Sequence, residues 1–136
     1  MKPYIYLPHT ADVKFQAFGK SLEEAFKNAA LALKETIVER LKIKDKIKKK
    51  IKIKGKDNES LLYNFLEEFL YLLDAKDFLL SKIKKIKIKG KKLEAEISGD
   101  KALDYLFTND VKAVTYNEMF VKKQGNKFIC QVVLDV

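Results

Sequence analysis

The last 26 residues constrain the fold more strongly than any other stretch of the chain. They consist of two apolar-rich runs joined by the turn Gln124-Gly125-Asn126-Lys127. A Gly-Asn pair suits a two-residue connection whose twist matches that of paired strands, so the two runs are predicted to form an antiparallel hairpin. Both faces of the second run are largely apolar, which predicts a central strand of a sheet rather than an edge strand.

The second run ends in a concentration of negative charge. The side chain of Asp135 lies next to Val136, whose free carboxylate ends the sequence. Two negative groups at the end of a buried strand repel each other. We therefore expect a cation or a basic group to balance them.

Length and cysteine content limit the classes of protein to which this chain can belong. A chain of 136 residues makes one domain, predicted over residues 1–136, and at this size roughly two-thirds of the unfolded surface can be buried. Cys130 is the only cysteine, so an intrachain disulfide is excluded and a reducing compartment is expected. No apolar run approaches the ~20 residues of a membrane helix, and no signal-like segment begins the chain. We expect a soluble, cytoplasmic protein without a membrane partner.

The positive charge is concentrated in two segments. Residues 42–56 hold nine lysines against one acid, and residues 82–92 hold seven lysines against none. The two segments carry +15 of a net charge of +9, which leaves −6 on the rest of the chain. Arg40 is the only arginine, and lysine is the poorer residue for bidentate recognition of phosphates or bases. Solvated lysine faces, common in proteins from hot environments, explain this pattern; attraction to nucleic acid or another anionic partner is the alternative.

Two helices are predicted from capping signals and apolar stripes. Ser21 with Glu24 forms a capping-box pattern, which begins a helix that should end at about Arg40. Asp57 and Asn58 provide N-cap chemistry for a second helix. Its broad stripe of leucine and phenylalanine fades near Ala75-Lys76, and a stripe of this width must pack against a sheet or another helix.

Alternating apolar and polar residues predict the strands. Besides the C-terminal hairpin, such runs occur at residues 4–7, 13–17, 48–56, 85–89 and 93–97, and residues 101–108 are expected to form a short helical turn. The turn Lys89-Gly90-Lys91 joins two of these strands and places lysines opposite glutamates. The predicted fold is α+β, with two helices packed on one face of a mixed, largely antiparallel β-sheet.

Side chains that could bind a ligand or take part in a reaction lie at the ends of the predicted strands. The sequence contains no nucleophile elbow, phosphate loop, zinc-ligand spacing or Cys/His pair. The candidates are polar residues at strand ends: His9, Thr10, Asp12, Lys112, Thr115, Glu118 and Asp135.

A metal site follows if the strand at residues 13–17 pairs beside the last strand. Asp12 would then meet Asp135 and the terminal carboxylate of Val136. Three carboxylates with nearby carbonyls suit a hard divalent cation such as calcium or magnesium. The alternative is that Asp12 caps a turn and Asp135 extends into water.

Taken together, a set of motifs resembles the archease family, in the same order and at the same spacing over essentially the whole chain. Any one of them alone is weak, whereas the set in register is specific. They are His9-Thr10-Ala11-Asp12, then Gly19 with Leu22–Phe26, then Glu59–Leu62 leading into Phe65–Glu68, then Lys112–Tyr116, and finally Val132–Val136.

The resemblance implies an accessory protein rather than an enzyme. Archeases activate the RtcB-type RNA ligase that joins tRNA halves after intron removal, by promoting transfer of guanylate from GTP to a ligase histidine and by restoring turnover. The resemblance also implies a divalent metal bound by Asp12, Asp135 and the carboxylate of Val136. Calcium is the expected ion, with magnesium or manganese as alternatives.

The resemblance also implies roles for two further residues. Lys112 matches the motif lysine and is expected to contact the ligase active site or a nucleotide phosphate, although read by itself it is a solvated lysine at the start of a strand. His9 is expected to position the loop that follows it and to orient Asp12. tRNA is expected to be contacted indirectly through the ligase, or weakly through the lysine-rich faces.

The chain also departs from the family pattern. Asn117 stands where the family has a histidine, and the segment before Lys112, which often carries another, reads Leu103-Asp104-Tyr105-Leu106. Those positions therefore supply neither proton transfer nor strong metal ligation.

Two other functions fit the residues. One is a basic RNA-binding module without a dedicated ligase partner, using the lysines at 50–54 and 85–89. The other is a metal-dependent hydrolase, which needs a water-activating base beside the cation; His9 is the only histidine.

Overall fold

The computed structural model describes residues 2–136. Over this range the chain forms seven β-strands, two α-helices and one short 3-10 helix. In chain order these are β1 (Tyr4–Leu7), β2 (Val13–Gly19), α1 (Leu22–Val38), β3 (Ile47–Lys54), α2 (Asn58–Lys76), β4 (Phe78–Lys89), β5 (Lys92–Lys101), the 3-10 helix (Ala102–Asp104), β6 (Ala113–Gln124) and β7 (Lys127–Asp135).

The predicted α+β class with two helices is confirmed, but the strands form two sheets instead of one. The first sheet has the order β1-β2-β7-β6, and the second has the order β3-β5-β4. Every neighbouring pair is antiparallel, so the expectation of a mixed sheet was wrong. The strands β3 and β4, joined through α2, both run antiparallel to β5 and so run in the same direction. Because β5 inserts between them, they never form the parallel pair that a strand-helix-strand order suggests.

The C-terminal hairpin has the predicted form. The strands β6 and β7 pair from Gln124↔Lys127 at the turn to Ala113↔Asp135 at the far end. Gly125 has φ +62°, a left-handed conformation that glycine adopts without steric cost. The strand β7 lies between β2 and β6, as its two apolar faces predicted.

Local capping chemistry sets where the helices begin. The Ser21 hydroxyl accepts a hydrogen bond from the Glu24 amide at 3.1 Å, and the Glu24 carboxylate accepts one from the Lys20 amide at 2.9 Å. Asp57 and Ser60 cap α2 reciprocally. The helix α1 ends at Val38, two residues before its predicted end, because Glu39 takes φ 55° and leaves the helical conformation.

The strand β4 begins eight residues before the alternating Ile86 that predicted it. Its first residues, Phe78-Leu79-Leu80, are all buried, so they show no alternation. Irregular pairing between Leu80 and Lys82, and again between Ile83 and Lys85, interrupts the period of two further along. Periodicity alone therefore could not detect the start of this strand.

Both helices pack against the inner faces of the two sheets and enclose one hydrophobic core. Phe15 from the first sheet, Phe26 from α1, Phe65 from α2 and Leu93 from the second sheet are all fully buried. The rings of Phe26 and Phe65 stack with centroids 6.1 Å apart, which joins the two helices at the centre. Neither helix offers an apolar stretch long enough to span a bilayer, within the described part of the chain.

Candidate functional site

The register of the first sheet brings together the residues predicted for the metal site. Val13, the first residue of β2, lies opposite Leu134 of β7. The next residue outward on each chain is Asp12 on one side and Asp135 on the other, so the two aspartates lie at the same end of the sheet. The strand β2 does pair beside the last strand, which was the condition for the site.

The residue before β6 reaches the same end of the sheet. The backbone amide of Lys112 donates a hydrogen bond to the carbonyl oxygen of Asp135 at 2.8 Å. Lys112 and Asp135 are exposed, whereas Asp12 and Val136 are half-buried. We call the group of Asp12, Asp135 and Val136 the acidic tip; it is accessible to solvent and has Lys112 at its border.

A hydrogen-bonded cluster fixes the loop that carries Asp12. The Nε2 atom of His9 lies 2.9 Å from one carboxylate oxygen of Glu118, and the Lys14 ammonium donates to the other oxygen at 3.0 Å. The hydrogen bond from Lys14, followed by that from His9, lowers the pKa of Glu118. The carboxylate is therefore ionised at neutral pH and ties the loop between β1 and β2 to the strand β6.

Glu118 itself lies in an irregular part of β6. The pairing of β6 with β7 is interrupted between Thr115 and Phe120, and Glu118 has φ 55°. Its carbonyl oxygen accepts a hydrogen bond from the Gln131 side chain at 2.7 Å, and Gln131 in turn accepts one from Gln16 at 2.9 Å. This chain of amide contacts holds a left-handed residue in place, and the resulting bend aims its side chain at His9.

His9 does not orient Asp12 through a direct hydrogen bond. Its Nδ1 atom lies 4.0 Å from the Asp12 carboxylate, which exceeds hydrogen-bonding distance. That nitrogen is buried and has no hydrogen-bond partner within residues 2–136.

The donor chemistry of the acidic tip fits a hard divalent cation. Two carboxylate side chains and a terminal carboxylate would supply oxygen ligands only, as calcium and magnesium prefer. Within residues 2–136 no group of three or more His, Cys, Asp and Glu side chains could hold a metal ion. The predicted site draws on only two such side chains, Asp12 and Asp135, so the terminal carboxylate and backbone or water oxygens must complete it. The metal site therefore stays a prediction.

An open cleft of about 500 Å³ adjoins the tip between the first sheet and the end of α1. Asp12, Lys14, Glu35 and Arg40 contribute charged groups to its lining, and Tyr6 contributes an aromatic ring. The Tyr6 hydroxyl donates to the carbonyl oxygen of Ala32 at 2.8 Å, and burial raises its pKa far above the ordinary value. The lining contains no serine or cysteine beside a histidine, so no nucleophilic pair of that kind opens into this cleft.

Of the remaining sequence candidates, Thr10 is exposed, whereas Thr115 and Tyr116 have structural partners. The Thr115 hydroxyl donates to the carbonyl oxygen of Val133 at 2.9 Å and so strengthens the hairpin. Tyr116 stacks on Tyr63 of α2, with ring centroids 4.2 Å apart and planes within 7° of parallel. Asn117 is exposed.

Three acidic residues make contacts with the first sheet that sequence reasoning did not indicate. Glu118 was a strand-end candidate without a partner, yet it holds both His9 and Lys14. Glu59 and Glu67 on α2 accept hydrogen bonds from backbone amides of β6, at 3.2 Å and 2.7 Å respectively. The partners of all three are more than 45 residues away along the chain, so no local signal could have revealed them.

Known proteins show the same family as the motif resemblance. Residues 4–136 match the Archease protein family. The protein archease of Pyrococcus abyssi is 39% identical over 144 residues, covering 100% of both chains, and that of Methanosarcina barkeri is 38% identical over 141 residues, covering 99% of this chain and 97% of the relative.

Solved structures agree with the fold. The solution structure of protein 1598 from Methanobacterium thermoautotrophicum superimposes with a TM-score of 0.84 at 33% identity, covering 100% of both chains. The crystal structure of an archease from Thermotoga maritima has a TM-score of 0.65 at 21% identity, covering 96% of this chain and 94% of that one, and it supports the fold alone. Motif order, whole-length sequence identity and fold together show that this chain belongs to the archease family.

Proposed function

We propose that this chain is a non-catalytic activator of an RtcB-type RNA ligase, which joins tRNA halves after intron removal. It promotes transfer of guanylate from GTP to a ligase histidine and so restores turnover. The observation that carries this proposal is the convergence of Asp12, Asp135 and Lys112 at one exposed end of the first sheet.

The acidic tip is the part of the molecule that would act on the ligase. Asp12, Asp135 and the carboxylate of Val136 hold a divalent cation, which lets three negative groups lie close together. Calcium is the proposed ion, with magnesium or manganese as alternatives. When bound, the cation supplies positive charge at a surface that the partner can reach, and Lys112 adds a second positive group suited to phosphate oxygens.

The cluster around Glu118 prepares the tip for this role. Because Glu118 binds His9 and Lys14 at 2.9 Å and 3.0 Å, the loop carrying Asp12 is fixed before any partner arrives. A fixed loop loses less conformational entropy on binding than a mobile one. His9 therefore positions the loop through Glu118, and its free Nδ1 faces the side of the loop on which Asp12 lies.

A guanylylation assay tests the proposal directly. An RtcB-type ligase is incubated with GTP, and formation of the ligase–guanylate adduct is followed with and without this protein. Asp12→Ala and Asp135→Ala should each reduce the stimulation at least about tenfold, since each removes one charged metal ligand. Their unfolding temperatures should stay close to that of the unchanged protein, because both side chains lie outside the core.

A matched control removes a carboxylate elsewhere. Asp74 is exposed on α2, outside both the acidic tip and the second sheet, so Asp74→Ala should leave stimulation unchanged. Calcium titration calorimetry on the same variants should show weakened binding only for the two tip variants. Full stimulation by both Asp12→Ala and Asp135→Ala would show that the tip is not the activating element.

A further inference from the structure

Two lysine-rich segments that are far apart in the sequence converge on one surface. The strands β3 and β4 flank β5, and all three bury their isoleucine, leucine and alanine side chains toward the core. The alternate residues therefore point outward together. Two neighbouring cross-strand rows illustrate the pattern: Lys50, Glu96 and Lys85 form one row, and Lys52, Glu94 and Lys87 form the next. We call this outer surface of the second sheet the lysine face.

The lysine face keeps most of its positive charge. Among the described residues, the only ion pair between a lysine and a glutamate of this face joins Lys52 to Glu94, at 3.9 Å, and both side chains are largely exposed. An exposed pair at that distance contributes little energy and does not fix the ammonium group. On β4, Lys82 and Lys84 pair with Asp45 at 3.3 Å and 3.6 Å. The lysines of the two rows named above are therefore free to contact an anionic ligand.

The arrangement of charge on this face is regular. Strands in a sheet lie about 4.8 Å apart, so the lysine columns on β3 and β4 are about 10 Å apart with the glutamates between them. Along each strand, residues on one face repeat about every 7 Å. The surface thus presents two parallel columns of lysine charges, one along β3 and one along β4, separated by the narrow acidic strip of glutamates on β5.

This composition favours a nucleic-acid backbone over an acidic protein. Protein interfaces are depleted in lysine and owe most of their binding energy to aromatic residues and arginine. All the large exposed apolar residues lie outside β3, β4 and β5, within the described range. A surface of lysines without aromatic or apolar anchors instead matches regularly spaced phosphates.

The absence of exposed aromatic side chains from the lysine face, among the described residues, also favours an RNA duplex over a single strand. Proteins that hold single strands stack the bases on exposed aromatic rings, whereas duplex RNA is recognised through its phosphates, its shape and its 2′-hydroxyl groups. The acidic strip adds a further constraint, since Glu94 and Glu96 repel phosphates. Phosphates must therefore lie over the two lysine columns, and the groups facing the glutamates must be hydrogen-bond donors, as 2′-hydroxyls are.

We propose that the lysine face binds duplex RNA, with lysines of β3 and β4 contacting phosphates on the two sides of a minor groove and Glu94 and Glu96 accepting hydrogen bonds from 2′-hydroxyl groups. This surface is built from the second sheet alone, whereas the acidic tip belongs to the first sheet. The proposal therefore does not depend on the metal or on the ligase.

Fluorescence anisotropy with a labelled RNA duplex of about 16 base pairs tests the proposal. With about four phosphate contacts, affinity should fall roughly a hundredfold between 50 and 200 mM salt. The double variant Lys50→Glu/Lys87→Glu should weaken binding more than tenfold and reduce the slope of log affinity against log salt by about 2. The control Lys20→Glu/Lys123→Glu makes the same change in net charge outside the second sheet, and it should weaken binding less than about threefold.

Further binding measurements distinguish duplex RNA from the other anionic ligands. A single strand of the same sequence and a DNA duplex should both bind more weakly than duplex RNA, and Glu94→Gln/Glu96→Gln should reduce the preference for RNA over DNA. Polyglutamate should not compete for the surface at equal charge concentration. Asp12→Ala should bind the duplex normally, which separates this surface from the tip. Equal binding by the Lys50/Lys87 and control variants, equal affinity for single strands or DNA, or efficient competition by polyglutamate would each overturn the proposal.

Discussion

Glu67 of α2 supplies a hydrogen-bond acceptor at the open edge of the first sheet. The strand β6 has β7 on one side only, so some of its backbone amides lack a strand partner. One carboxylate oxygen of Glu67 accepts a hydrogen bond from the buried Val114 amide at 2.7 Å. A hydrogen bond to a charged group is worth more than a neutral one, and leaving a buried amide unpaired is costly. The helix side chain therefore does part of what a neighbouring strand would do.

Replacement of Glu67 should measure this contribution. Glu67→Ala is expected to lower the free energy of unfolding by about 1.5 kcal/mol, because the Val114 amide loses its charged partner. Glu67→Gln keeps an oxygen acceptor and should lose less than half of that. Urea denaturation monitored by circular dichroism measures both values. Glu68, the next residue, makes no such backbone contact within residues 2–136, and burial raises its pKa, so Glu68→Ala should cost almost nothing. An equal cost at Glu67 and Glu68 would contradict the role given to the edge contact.

Individual residues of the site were predictable where the signal was local or where strand pairing could be inferred. The capping roles of Ser21 and Asp57 depend on neighbours three residues away, so sequence pattern was sufficient. The placement of Asp12 and Asp135 at one end of the first sheet required only that β2 pair with β7. The contact of His9 with Glu118 spans 109 residues and depends on an irregular bend in β6, which no pattern in either segment encodes.

The strand β5 contains the glycine position with the least space for a larger side chain, Gly99. It is the central strand of the second sheet, and Gly99 lies opposite Ile47 of β3 on one side and Leu80 of β4 on the other. A Cβ atom at Gly99 would lie 2.0 Å from the carbonyl oxygen of Leu79. Since that oxygen belongs to the backbone, it cannot move away as the end of a flexible side chain could. The close approach coincides with the pairing irregularity between Leu80 and Lys82.

Gly99→Ala should therefore destabilise the second sheet strongly. We expect a loss of about 3 kcal/mol, the upper end of the usual cost of overpacking, because the clash is with backbone atoms. Gly90 offers a control in the same sheet, since a Cβ there meets nothing within 4 Å and only its φ of +63° is unfavourable for alanine. Gly90→Ala should cost about 1 kcal/mol. Thermal and urea denaturation of both variants checks the order, and a smaller loss at Gly99 than at Gly90 would be inconsistent with the steric explanation.

The division of the strands between two sheets shows the limit of predicting elements from sequence. Alternation identified β3 and β5 and placed lysines opposite glutamates across the turn at Gly90, because these features are local. Which strands become neighbours is decided by packing across the whole chain. The insertion of β5 between β3 and β4 follows from the hairpin that begins at Gly90, but the separation of this trio from the C-terminal hairpin depends on how α1 and α2 fill the space between the sheets.

At the scale of the whole molecule, charge is divided between the two sheets. Residues 42–56 and 82–92 contribute a net +15, chiefly to the second sheet, while the rest of the chain carries −6 and includes the acidic tip. A molecule with this distribution can attract one anionic partner at the lysine face and present an acidic, cation-binding surface elsewhere. The two proposed surfaces can therefore be altered independently by mutation.

Pro3 and Val136 lie at opposite ends of the first sheet, which provides a test of the tip that leaves every side chain intact. Tyr4 pairs with Ala17, and the Phe18 amide donates to the carbonyl oxygen of Pro3 at 2.8 Å, so Pro3 lies beside the far end of β2. Five residues of strand separate Phe18 from Val13, a distance of about 17 Å. Val136, by contrast, directly follows Asp135, opposite Asp12.

A Gly-Ser-Gly extension should therefore have different effects at the two ends. After Val136 it converts a charged ligand into a neutral carbonyl, and because calcium affinity depends on ligand charge, we expect at least about a tenfold loss of calcium binding with loss of ligase stimulation. Before Met1 the same extension should change neither calcium binding nor ligase stimulation. A C-terminal amide, which removes the charge without added bulk, should behave like the C-terminal extension, and this separates loss of the ligand from steric obstruction. Calorimetry and the guanylylation assay measure both effects. Normal calcium binding by the amide would mean that the carboxylate of Val136 is not a ligand and that the tip holds its cation, if any, through Asp12 and Asp135 alone.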